Sequence, residues 1–191
     1  MRRILALVLL CACGEAPILT DGGSGEVDAG PAKSDAGLRA FVTSKAFTGN
    51  LRAEANAPSS GYEGDNTLCK QHAADAGLKG SFVAFVGSSL TSPASRISAS
   101  GPWSKQLPDG GRTVVLVNLN SAPVANVDVD ERGRKVSGDV WTGKSGPACT
   151  DWRADTGTGS IGSPSVSGGT GWQDVGSKPC NLKFSLLCLE Q

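Results

Sequence analysis

The sequence predicts an α+β domain, rich in strands and loops, that follows an export leader and a tether. Three observations carry this. The 191 residues include 26 glycines and only 5 % aromatics, a composition that suits a loop-rich strand domain better than a helical bundle. Short apolar runs with strand patterning recur between Gly- and Pro-containing turns. Four cysteines lie beyond the N-terminal region, an even set that in an exported domain points to disulfides.

The N-terminus sets the export expectation. Met1-Arg2-Arg3 is basic and residues 4–10 are an unbroken apolar run, the shape of a secretion signal. The run is far shorter than the roughly 20 residues a membrane-spanning helix needs. Leu10-Cys11-Ala12-Cys13 follows, with an aliphatic residue three before Cys13 and a small one just before it. Residues 1–12 therefore read as a lipoprotein signal peptide and Cys13 as the thiol that takes the diacylglycerol and palmitate-type chains. Each buried methylene contributes about 0.8 kcal/mol, so several chains hold where one does not. The membrane is then a partner through the lipid anchor. Gly14 stands where an Asp would favour the inner membrane, so the expected location is the cell envelope, at the outer membrane.

Residues 13–35 hold Gly, Asp, Ala and Pro without apolar periodicity and read as a flexible tether. From residue 36 to 191 the chain carries 15 basic and 13 acidic residues, no strong field of either sign, which argues against a nucleic-acid partner. Residues 38–44 alternate and read as a first strand. Asp65-Asn66-Thr67 can cap a helix running to Gly77; Leu68, His72 and Ala76 lie along one stripe with Cys69 and Ala73 beside it, so Cys69 is expected to face inward. Residues 82–86 form an apolar strand. Ser92-Pro93 opens a second short helix to Ile97. The turn Pro108-Asp109-Gly110-Gly111 introduces a strand over 113–117, and Arg132-Gly133 turns the chain between 127–129 and Val136. Val140-Trp141 and residues 184–189 complete the strands. Residues between Cys149 and Cys180 are mostly Gly, Ser, Thr and Asp and read as loops.

The four cysteines Cys69, Cys149, Cys180 and Cys188 allow three pairings, and spacing alone does not choose among them. The pieces 39–44, 65–77, 81–85, 92–96, 128–133, 140–143, Cys149 with Trp152, Trp172 and 187–191, in this order, resemble the C-type lectin-like fold. More closely, the chain resembles the lipoprotein domain of unknown function found in Leptospira and myxobacteria, which is similar to endostatin-type lectin-like domains. The resemblance covers nearly all of residues 38–191. It implies mixed, mostly antiparallel sheets with two short helices and long loops. It also implies two nested bridges, Cys69–Cys188 and Cys149–Cys180, each contributing roughly 3–5 kcal/mol by restricting the unfolded chain.

Candidate chemistry is sparse. Cys69 and His72 lie one helical turn apart, as a Cys–His nucleophile or half a metal site would, but a bridged Cys69 removes the thiol and His72 is the only histidine. Asp128, Asp130, Glu131, Gly133 and Asp139 resemble a cation loop, yet Arg132 stands where a ligand oxygen is wanted and Arg134 and Lys135 add repulsion, so a charged hairpin is the better reading. Calcium-dependent sugar-binding relatives of the lectin-like fold carry a Glu-Pro-Asn or Gln-Pro-Asp tripeptide and a Trp-Asn-Asp motif, which this sequence lacks. Trp141 reads as core, whereas Trp152 and Trp172, in the loop-rich half, read as ligand-binding rings. No catalytic set, metal site or cofactor is expected. The expectation is a non-enzymatic, lectin-like module that presents loops over 147–179 to a protein or glycan ligand. The alternatives are a structural envelope protein without a soluble ligand, or a cysteine-dependent enzyme.

Overall fold

The computed structural model describes residues 37–57, 61–144 and 146–191. The expected signal peptide (1–12), Cys13 and the tether (13–35) lie outside the described residues. Within them the architecture is α+β with a dominant, mostly antiparallel sheet. The elements are β1 (Leu38–Val42), α1 (Leu51–Glu54), α2 (Gly61–Asp75), β2 (Phe82–Ala84), β3 (Trp103–Gln106), β4 (Arg112–Leu116), β5 (Val140–Trp141), α3 (Cys149–Trp152), β6 (Thr158–Gly162), β7 (Gly176–Pro179) and β8 (Ser185–Glu190). The strand order is β4-β3-β1-β8-β5-β6-β7, with β2 also pairing β8. Only β1–β3 and β5–β8 run parallel.

Strand β8 is the hub. β1 pairs along one edge, Ala40 opposite Leu189 and Val42 opposite Leu187. β2 pairs residues 188–190 and β5 pairs 185–186 on the other edge. Its side chains alternate between two cores. Leu186 and Cys188 join Phe41, Phe82, Leu68 and Trp141 on one face. Leu187 and Leu189 join Val42, Phe85, Trp103 and Val115 on the other. A strand buried on both faces has no polar side to show, which is why 82–86 and 186–189 read as continuous apolar runs.

The first face is covered by α2, and the bridge Cys69–Cys188 ties that helix to β8. The second bridge, Cys149–Cys180, lies within the first in sequence, the nested pairing that the resemblance implied. Helix α2 is not short: it spans 15 residues and begins before the expected cap. Its first residue, Gly61, lies so close to the Asp151 carbonyl that a Cβ would fall 2.0 Å from that oxygen, so the helix starts in tight contact with α3. Asp65 is thereby carried inside the helix, fully buried. Arg96 grips it with two hydrogen bonds, Nη1 to Oδ2 at 2.8 Å and Nη2 to Oδ1 at 2.9 Å. Burial pushes the Asp65 carboxyl up to about 7 against the hydrogen bonds and charge of Arg96. Arg96 also donates to Val86 O and lies 4.1 Å from the Tyr62 ring centroid. It sits at the end of a 3-10 turn, Ala94–Arg96, within the short helix expected from Ser92-Pro93 to Ile97.

One further expectation is corrected, and one strand was not expected. The segment between Cys149 and Cys180 is not all loop: it holds α3, β6 and β7. β6 is Gly- and Ser-rich because it runs against bulk. A Cβ on Gly159 would fall 2.7 Å from Cys149 Sγ and 2.9 Å from the Trp141 ring, and one on Gly162 would fall 2.2 Å from Trp172 O. Strand β3 carried no sequence expectation. Trp103 anchors it, buried, with Nε1 donating to Glu190 O at 2.8 Å.

Removing one partner of the Asp65–Arg96 pair strands a buried charge. Asp65→Ala is expected to lower unfolding free energy by about 3–5 kcal/mol, measured by urea denaturation, with Asp65→Asn milder because it keeps an acceptor.

Candidate functional site

Cys69 is in its bridge, so no thiol faces His72. His72 Nδ1 lies 3.2 Å from Glu131 Oε1, and the ring meets Phe47 edge-on at 5.8 Å. The charged segment is a hairpin, with Val129 bridged to Lys135. Each buried carboxylate there has a cation. Asp128 takes Lys105 Nζ at 2.8 Å and Lys135 Nζ. Asp130 takes Arg134 and, through Oδ1, the backbone N–H groups of Arg132 and Arg134. Glu131 takes Ser44 N at 3.0 Å, Ser44 Oγ at 2.6 Å and Arg132 Nη1 at 2.8 Å. Glu131 thus locks together the end of β1, helix α2 and the hairpin. Burial raises its carboxyl, but the hydrogen bonds from His72 and Ser44 outweigh this and bring it from 4.5 down to about 2. Asp128 is also lowered: burial opposes, and hydrogen bonds with the charges of Lys105 and Lys135 prevail. Among the described residues no group of three or more His, Cys, Asp or Glu side chains could hold a metal ion.

Trp152 and Trp172 do not present rings to the surface, which corrects the exposure expected of them. Trp152 is 0 % and Trp172 2 % exposed. Trp152 packs on Trp141 at 5.6 Å, and its Nε1 donates to Gly87 O at 2.6 Å. Trp172 stacks on Phe85 at 4.8 Å. Trp141 is buried as expected, with Nε1 donating to Phe47 O at 2.9 Å.

A polar cleft of about 290 Å³ is lined by Asn50, Arg52, Ala53, Asn56, Ala57 and Arg153, so of the loops expected to present a ligand surface, 147–179, only Arg153 contributes. Two segments form it. α1 and its flanks supply the first five residues, and Arg153 leaves α3. The bridge Cys149–Cys180 joins the segments: Gly49 N donates to Cys180 O at 2.7 Å, and a Cβ on Gly49 would fall 2.2 Å from Cys149 Sγ. α3 is a left-handed turn, with φ of 49°, 54°, 55° and 62° at Cys149, Thr150, Asp151 and Trp152. Such a turn costs about 1–2 kcal/mol per residue, since Cβ crowds the following carbonyl. It is held by the bridge, by Trp152, and by Asp151 Oδ1, which accepts from Ser89 N and Oγ at 3.0 Å each. None of the cleft side chains was singled out from sequence. Their one readable signal is adjacency to the bridged cysteines, Arg153 lying four residues after Cys149.

Comparison with known proteins found no matching family model and no match among curated proteins.

Glu131 titrates below its ordinary value in the fold, so its ionised form favours folding. That contribution is complete above pH 4.5 and fades as pH falls through about 2. Melting temperature is expected to fall steeply over this window. Glu131→Gln is expected to melt lower than the parent at pH 7 and to show a shallower fall below pH 4.5, both read by circular dichroism.

Proposed function

We propose that the chain is a cell-envelope lipoprotein, anchored through Cys13, whose domain has a C-type lectin-like layout and acts as a non-enzymatic binding module for protein or glycan ligands. The observation that carries this reading is the polar cleft, whose two walls a buried disulfide holds together. The lectin-like layout is supported by the pairing of first and last strands, by the helix stapled to the last strand, and by a second bridge in the loop-rich half. Two disulfides suit an oxidising compartment outside the cytoplasm. Among the described residues the four cysteines are bridged, and His72 is held between Glu131 and Phe47.

Cys13→Ala is expected to move the protein from the membrane fraction to the soluble one, and intact mass of the parent to show the acyl chains on an N-terminal Cys13. On a glycan and matrix-protein array, the disulfide-intact protein is expected to bind at least one class and its reduced form neither. Binding to neither class by the intact protein would leave the structural envelope role.

A further inference from the structure

We propose that the cleft between α1 and α3 binds an acidic sugar unit, a carboxylate flanked by hydroxyls. The proposal rests on the binding-module reading and names the ligand class of that site.

The lining defines the class. At about 290 Å³ the cleft lies at the small end of ligand sites and suits a single ring rather than an extended chain. Its apolar surface is limited to Ala53 and Ala57, too little to select an apolar ligand. Its polar side chains are two guanidiniums and two amides. A guanidinium presents its N–H groups as a fork that matches a carboxylate, and it stays charged at every physiological pH. Amides both donate and accept, as neighbouring hydroxyls require.

The groups are also oriented. Arg153 Nε donates to Thr150 O at 3.3 Å, so the Nη edge is the part it offers. Among the described residues Arg153 forms no ion pair. Arg52 Nε reaches Ala57 O at 3.4 Å across the opposite wall. Asn50 Oδ1 accepts from Ala53 N at 3.2 Å, which leaves its NH₂ as the group facing a ligand. Asn56 holds φ of 51°, in the left-handed region that Asn tolerates better than most residues. The left-handed turn and the Cys149–Cys180 bridge fix where Arg153 leaves the fold. Ligand chemistry at this site therefore depends on an oxidised bridge. Stacking on an aromatic ring plays no part, since Trp152 and Trp172 are buried.

The test is a titration of the disulfide-intact full chain, followed by amide chemical shifts, with sodium glucuronate, glucose and inorganic phosphate as separate probes. Glucuronate is expected to saturate and to shift residues 50–57 and 153. Glucose is expected to bind at least about ten-fold more weakly, and Arg153→Gln to weaken glucuronate by about ten-fold, as loss of one charge-assisted pair requires. Arg153 is exposed, so that variant keeps the fold. Phosphate binding as tightly as glucuronate would overturn the sugar class in favour of a plain oxyanion site. Glucuronate binding that is indifferent to Arg153→Gln, or that never saturates, would overturn the cleft itself. An array-positive protein that fails only this titration loses the ligand assignment and keeps the module. A protein negative in both loses the module as well.

Discussion

The whole domain hangs on one strand that has no exposed side. β8 offers hydrogen-bonding edges to β1, β2 and β5, and its alternating side chains fill two cores at once. A slip of one residue would exchange Leu186 and Cys188 with Leu187 and Leu189, misplacing the bridge to α2 along with both cores. Register is therefore fixed by packing and by a covalent bond together. Everything peripheral, from the β3–β4 ribbon to the hairpin that Glu131 pins down, is arranged around a strand that cannot move.

How far this could be read from sequence follows the same logic. The double-sided apolar runs 82–86 and 186–189 and the alternating 38–44 announced their strands, because burial leaves a direct mark on side-chain type. Turn chemistry at 108–111 and 132–133 was equally plain. β6 was not legible: what it needs is the absence of side chains, since Gly159 and Gly162 pass against sulfur, indole and backbone, and glycine in sequence reads as loop. The start of α2 was misplaced for a related reason. Asp65 has the character of a cap, but its partner is Arg96, 31 residues away. The charge pattern over 128–135 was legible as a hairpin, whereas the partners Lys105, Ser44 and His72 that complete its network come from distant segments and were not. Of the site, the bridged cysteines followed from a resemblance. The cleft they hold open had no pattern to find, because its two walls come from segments about a hundred residues apart.

The left-handed turn at α3 is the costly part of that arrangement. Four consecutive non-glycine residues in this region persist only where the surroundings over-determine them. Here a disulfide, an indole N–H and an aspartate each fix one of them. The same three contacts bury Trp152 and leave Arg153 outside. The sequence reading took the tryptophan for the ligand contact, whereas the turn reverses the roles of the two neighbours.

The antiparallel β1–β8 ladder also gives the molecule a polarity. At one end Arg39 is clasped by Glu190. At the other Phe47 meets Phe184, and the chain goes on directly to Gly49, Cys180 and the cleft. The six residues of β8 span about 20 Å at roughly 3.3 Å each. The same strand thus carries an ion-pair clasp at one end of the ladder and leads, at the other, to the disulfide from which Arg153 emerges.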